Sequence, residues 1–470
     1  MSTKVLIALG AIWGICLSGA TLPCWSAPQV QAEAIPDNTL DTPSSPSTAG
    51  NHLSEHAGGY LTPERALELA LQHNPRLETF AGSIEARTHE MHKSGRLPNP
   101  GVELELENFG GSGEFRGGSN AEASVRLQQK LELGGKRQRR IDVARSVMQV
   151  EETQQRTYIA ELQALVHTRA VDLAVAQKQQ ELAHAQAELS RTLLAMVRER
   201  IDAGKAADIE QIAFEMQLSE SNLKTRQAQT EVERAKHALA ALWDESSPAF
   251  NAVALKLEPL PALQEIEALY TALPHTPATD LARTRTERAA HALGLEKARR
   301  MPDLNLSFGA REERATGDHA LLAGVSVEIP LFERNQDGVA AARARQNRAE
   351  ATLRASVVEQ RSQLQEGWHA LTTARQEAHM LRSELLPAAQ KHFDAVTYAY
   401  RAGKYTYERV LDAQQNLFEL RRRHVDALGV AHRRHIELER ICGGLQPKAS
   451  RELHETTPEL MSVTDAGEKQ

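Results

Sequence analysis

Between residues 101 and 133 the chain alternates apolar and charged side chains. Val102, Leu104 and Leu106 are interleaved with Glu103, Glu105 and Glu107, and Ala123, Val125, Leu127, Leu131 and Leu133 face away from Arg126, Gln128, Lys130 and Glu132. A period of two separates the sets onto opposite faces and predicts two strands of about ten residues each, enough to cross a bilayer at a tilt. The pattern returns at Leu304, Leu306, Phe308 and Ala310, then at Ala323, Val325, Val327, Ile329 and Leu331. Polar, glycine-bearing stretches, GGSGEFRGGSN and REERATGDH, separate the members of each pair and predict hairpin ends that face water.

The remaining ordered sequence follows a helical period. From Lys136 to Ala203 there is neither proline nor glycine, which predicts one helix of roughly 100 Å at 1.5 Å per residue. A second long helix is expected from Val339 to Ala402, bent at Pro387. Leu182, Leu189 and Met196, and Leu364, Leu371, Ala378 and Leu385, recur every seven residues as coiled-coil seams do. Both long helices run into Ala-Gly-Lys, where Gly204 and Gly403 can take the left-handed conformation that ends a helix and reverses the chain.

The two halves match in order at a spacing of roughly 200 residues, which points to duplication. His73 and Pro75 correspond to His275 and Pro277, Pro100 to Pro302, LELGG loosely to PLFER, Gly204 to Gly403, and Leu218 to Leu417. Each half is read as helix, strand, strand, long helix, turn, helix, over residues 60–250 and 251–442.

A strand with one apolar and one charged face fits either a surface sheet packed on helices or a barrel with lipid outside and a wet lumen. Recurrence as two helix-flanked hairpins favours the barrel. Four strands cannot close one, since small barrels need about eight, so subunits are expected to pool theirs. Residues 1–34 carry Lys4 and an apolar run that read as a secretory signal peptide. Cleavage after Ala20, Ser26 or Ala34 all fit, and neither Cys16 nor Cys24 sits in a lipoprotein context. Residues 35–59 and 443–470 are expected to be a disordered linker and tail. Cys442 is then left without a disulfide partner.

Composition narrows the function. Aromatic residues make up 4% and hydrophobic residues 41% of 470, and the net charge is −7, giving no basic footprint for nucleic acid. No hydrolase elbow, phosphate loop, zincin helix or Cys-His cluster is present, so neither an enzyme nor a cofactor is expected. His89 with His92, and His432 with His435, share helix faces, but two imidazoles without a third ligand make a poor metal site and are read as solvated. A secreted coiled-coil scaffold without a pore would explain the helices but not the amphipathic hairpins.

LTPERALELALQHNPRL, the duplicated hairpin plan and YRAGKYTYERVLDAQQNL together resemble the TolC-like outer-membrane efflux proteins over about Leu61 to Gly443. LELGGKRQRR looks most like the branch holding the outer-membrane components of cobalt-zinc-cadmium efflux systems. The resemblance implies a mainly α fold with a membrane β-barrel. In it, a homotrimer joins four strands per chain into a 12-stranded barrel, and long helical hairpins form a periplasmic tunnel. It also implies docking on a periplasmic adaptor and an inner-membrane proton-driven (RND) pump, with divalent metals, or alternatively drugs, as cargo. Val102, Leu104, Leu106, Val125, Leu127, Leu304, Leu306, Phe308, Val325, Val327 and Ile329 would then face outer-membrane lipid. Gly134 and Gly135 would swing the chain from strand to helix, with Lys136, Arg137, Arg139 and Arg140 at the membrane boundary. Positive charge there opposes the helix dipole, so an acidic partner is expected nearby. At the tip, Tyr400, Asp412 and Glu210 match family gate positions beside Gly204 and Gly403. A three-fold ring of Asp412 would gather like charges and attract cations. Tyr405 and Arg409 depart from the family pattern, where an arginine and an aspartate are usual.

Overall fold

The computed structural model describes residues 59–443. The expected signal peptide, most of the linker and nearly all of the tail lie outside the described residues. Strand β1 (Tyr60–Leu61) leads into helices α1 (Pro63–His73) and α2 (Pro75–Ser94), strands β2 (Gly101–Glu107) and β3 (Glu122–Leu131), and helices α3 (Lys136–Asp202) and α4 (Asp208–Ala240). The second half runs through β4 (Ala252–Val253), α5 (Ile266–Tyr270), α6 (Pro277–Ala298), β5 (Leu304–Glu313), β6 (Asp318–Val327), α7 (Gln336–Met380), α8 (Leu386–Arg401) and α9 (Tyr407–Ile441). The matched His-x-Pro segments prove to be helix starts. Asn74 and Thr276 each accept a backbone N–H with the side chain, ahead of Pro75 and Pro277 in the first turn.

Strands β2, β3, β5 and β6 form one antiparallel sheet in that order. Its register carries each apolar row across all the strands it reaches: Leu104 lies opposite Val125, Val125 opposite Ala310, and Ala310 opposite Leu321. The next row joins Val102, Leu127, Phe308 and Ala323, and a third joins Leu306 to Val325. From Ala123 to Leu131 this face extends roughly 27 Å at about 3.4 Å per residue. At a 40° tilt it covers most of the apolar band of an outer-membrane barrel, about 25 Å tall. The band is exposed, with Leu104 at 76% and Leu321 at 92%. No helix among the described residues is long and apolar enough to cross a membrane.

Three boundaries differ from expectation. Ile329 and Leu331, expected to extend the last strand, lie beyond the end of β6 at Val327. Pro330 has no N–H for a ladder, Leu331 N–H closes a tight turn onto Ile329 O (2.9 Å), and β5 starts opposite Val327. Leu133 likewise falls outside β3, where the chain turns at Gly134. The second hairpin end is shorter than REERATGDH: Glu312 pairs with His319 and Glu313 with Asp318, leaving a turn at 314–317 closed by Gly317 in the left-handed region.

Helix α3 is continuous over 67 residues. Its counterpart is interrupted just before Pro387 by a five-residue π-helical turn, Leu381–Leu385. A proline at 387 donates no hydrogen bond and crowds the carbonyl four residues back, and the wider turn accommodates both. Hydrophobic contacts join the tip-proximal parts of the helices: Leu193, Val197, Phe214, Phe393, Val396, Tyr400, Val410 and Leu417 form one buried cluster.

Candidate functional site

Three regions hold the residues singled out in the sequence. The first is the pair of helix turns. Gly204 and Gly403 have φ of 65° and 72°. Each turn closes with the same two bonds, Gly204 N–H to Ile201 O and Lys205 N–H to Arg200 O at 2.8 Å, and Gly403 N–H to Tyr400 O and Lys404 N–H to Ala399 O at 2.9 Å. Tyr400 is 2% exposed, and its hydroxyl donates to Glu210 Oε2 at 2.5 Å. Burial first, then the Glu210 carboxylate, pushes the phenol well above its ordinary value, so it stays a donor. Glu210 also accepts Ala207 N–H at 3.4 Å at the start of α4, where a carboxylate suits the helix dipole.

Arg200, which sequence reasoning did not single out, links the two turns. Its guanidinium lies 4.6 Å from the Tyr400 ring centroid and donates to Tyr400 O (2.9 Å), Arg401 O (2.8 Å) and Lys205 O (3.1 Å). Tyr400 O takes the Gly403 N–H as well, and a cation suits the carbonyl end of a helix. Asp412 is not part of this contact. It is exposed and lines a cleft of about 870 Å³ with Gln415, Asn416, Glu419, Glu220 and Lys224. Tyr405 is 54% exposed, and Arg409 is exposed as well.

The second region is the passage from strand to helix. Gly134 and Gly135 both have φ of 70°, and a side chain at Gly134 would meet Met301 at 2.9 Å. Lys136 is buried and its Nζ lies 2.5 Å from Asp303 Oδ1, while Lys130 reaches the other oxygen at 3.0 Å. Burial pushes the Asp303 carboxyl up, but the two ammonium groups outweigh it and hold the group below the usual carboxylate range. Asp303 is therefore the acidic partner expected for this basic helix start. Arg140 pairs with Glu132, and Arg137 Nε donates to Gly95 O at 2.5 Å.

The third region is the polar face of the sheet. Arg126 pairs with Glu105 at 2.5 Å and approaches Glu103 at 3.6 Å. Arg311, on β5, crosses to the first hairpin, bonding Glu122 at 2.8 Å, Ser124 Oγ at 3.1 Å and Glu107 at 3.4 Å. Gly309 leaves room for Arg126 beside it: a Cβ there would lie 2.3 Å from Val125 O and 2.9 Å from Arg126 Cγ. The face is uneven. Carboxylates stand on β2, whereas across β3 from them β5 presents Asn305, Ser307 and Gly309, opposite Lys130, Gln128 and Arg126.

The histidines divide. His89 and His92 are exposed, with ring centroids 6.3 Å apart. His432, expected on a solvated face, is instead 9% exposed and donates from Nε2 to Leu257 O at 3.0 Å, because the strand-free segment after β4 packs over α9. Among the described residues no group of three or more His, Cys, Asp or Glu side chains is placed to hold a metal ion.

The family model described as outer membrane efflux protein matches residues 66–245 and 268–444. The chain is 27% identical over 387 residues to the cobalt-zinc-cadmium resistance protein CzcC of Cupriavidus metallidurans, covering 82% of this chain and 91% of that one. It is 29% identical over 302 residues to the nickel and cobalt resistance protein CnrC of the same organism, covering 61% and 68%. Among solved structures, CusC, described in connection with transmembrane channel formation, superimposes with a TM-score of 0.69 at 17% identity, covering 82% of this chain and 92% of that one. Two matched repeats of one family model, carried on an amphipathic four-stranded sheet and long helical hairpins, show that the chain belongs to the outer membrane efflux protein family.

Proposed function

We propose that this protein is the outer-membrane channel of a tripartite system that exports divalent heavy-metal cations. Three copies would pool their sheets into a 12-stranded barrel, and the helices would form a periplasmic duct docked, at its tip, on an adaptor and an inner-membrane RND pump. The observation that carries the cargo is the similarity to CzcC across 91% of that protein's length. The two helix turns support a closed tip, with Tyr400 bonded to Glu210 and Arg200 holding the carbonyls of the opposite turn. Asp412 would stand where three copies converge. Asp412→Ala channels reconstituted in bilayers should leak small ions, and unchanged conductance removes Asp412 from the gate. The metal assignment is tested by measuring cell-associated zinc, cobalt, cadmium, nickel and copper in matched strains with and without the protein after a common load. Accumulation of divalent metals only in its absence supports the reading. Level metals with retention of a hydrophobic dye assign the channel to organic compounds instead.

A further inference from the structure

The end of α2 carries a feature that the export duct does not use. His89, His92 and Lys93 from α2 and Arg96 just beyond it, with Glu132 and Arg140, line a cleft of about 660 Å³. Arg140 is neutralised by Glu132, but no carboxylate among the described residues pairs with Lys93 or Arg96. Arg137, held to Gly95 O at 2.5 Å, adds a further cation at the edge. Cations standing together without counter-charges repel one another, and a bound anion relieves that repulsion.

The surroundings choose the anion. Gln129 Nε2 donates to Pro98 O at 2.9 Å, tying the cleft's wall to the lower end of β3 on the sheet's apolar face. Leu97, exposed at 63%, lines the cleft with the cations, and the wall residue Glu132 stands in the chain between Leu131 and Leu133, exposed at 37% and 40%. Basic side chains beside exposed apolar ones at a membrane boundary suit a phosphate with an acyl chain attached.

We propose that this cleft binds the phosphate of an anionic phospholipid in the periplasmic leaflet, fixing the height of the barrel in the membrane. The inference rests on the apolar sheet face lying in lipid. Native mass spectrometry of the purified full-length protein tests it, with titration by short-chain phosphatidylglycerol, phosphatidylcholine of the same chains, and inorganic phosphate. Phosphatidylglycerol should bind at least about tenfold more tightly than phosphatidylcholine, since each Lys or Arg near an anionic headgroup contributes about 1 kcal/mol. The double variant Lys93→Gln with Arg96→Gln, both exposed positions, should lose that preference, whereas Leu97→Gln should weaken both lipids and leave the preference. Equal binding of the two lipids, or a double variant that binds phosphatidylglycerol as the native protein does, overturns the proposal. Inorganic phosphate binding as tightly as the lipid would overturn a lipid source and leave a free-anion site. Failure of both lipids to associate with the native protein, together with loss from the membrane fraction, would instead count against the barrel itself.

Discussion

The two places where a strand passes into a long helix solve one backbone problem with different chemistry. In the first half Gly135, with φ of 70°, immediately precedes α3, and the next residue, Lys136, anchors the junction through a buried ion pair to Asp303. In the second half Asn335 occupies the equivalent left-handed position, φ 55°, before α7, and its amide donates to Glu296 O and Oε2, each at 2.8 Å. Gly338 leaves the space that this amide fills, since a Cβ there would lie 2.1 Å from Asn335 Oδ1. The first anchor ends on the segment that joins α6 to β5, at Asp303, and the second on the last turns of α6, at Glu296. The left-handed position before the helix falls at Gly135, the last residue of LELGG, but at Asn335, one residue beyond PLFER, so the two segments match only loosely, and asparagine is a non-glycine residue that tolerates the angle.

Substitutions can break the comparison at graded cost. Gly134→Ala should be the most damaging, because it adds a left-handed penalty to overlap with Met301, together about 2 to 4 kcal/mol. Detergent-resistant assembly should fall sharply, and a variant that assembles normally would show that the close approach of Met301 is not required. Lys136→Ala removes one partner of a buried pair, which in full burial costs about 3 to 5 kcal/mol. Lys130 still reaches Asp303, so a loss nearer about 2 kcal/mol is expected here. Lys130→Ala combined with it should cost more than the sum of the two. Asn335→Gly keeps the backbone angle and loses only the bonds to Glu296, so about 1 kcal/mol is expected in chemical unfolding. A larger effect than Lys136→Ala would reverse the ranking of the two anchors.

The smallest effect sharpens a different contrast, between the sheet and the helical body. Burial pushes His167, His424 and His432 below the ordinary imidazole value, with nearby carboxylates opposing it at the first two and the Leu257 carbonyl at the third. The unfolded chain takes up these protons near pH 6.5 while the folded chain does not. Stability is thus fully present above about pH 6.5 and declines as pH falls through the lower folded values. The melting temperature of the helical body should drop between pH 7 and pH 5, and His432→Gln, which can still donate to Leu257 O, should make that drop shallower. An unchanged slope would remove His432 from the account.

What could be read from the sequence follows from how local its cause is. The alternation at Val102, Leu104 and Leu106 and the turn glycines Gly204 and Gly403 act within a few residues, and the structure carries them where expected. The end of β6 depends on where β5 begins, so Ile329, which continues the alternation, has no neighbour left to pair with. Asp303 lies 167 residues from Lys136, Arg200 lies 200 residues from Tyr400, and neither pairing leaves a local trace. His432 sits in a polar helix pattern, and only the packing of the segment around Leu257 makes it a buried donor.

The central claim is that one face of the β2–β3–β5–β6 sheet lies in lipid while the other lines water. It is tested most directly by single-cysteine scanning in a background carrying Cys24→Ser and Cys442→Ser. Cysteines at 102 to 107, 123 to 128 and 304 to 309 are exposed to a membrane-impermeant maleimide in isolated outer membranes. A period of two is expected: labelling at Glu103, Glu105, Gln128, Asn305 and Ser307, and protection at Val102, Leu104, Val125, Leu306 and Phe308. Uniform labelling of both sets would contradict it, because it would mean that the apolar face stands in water.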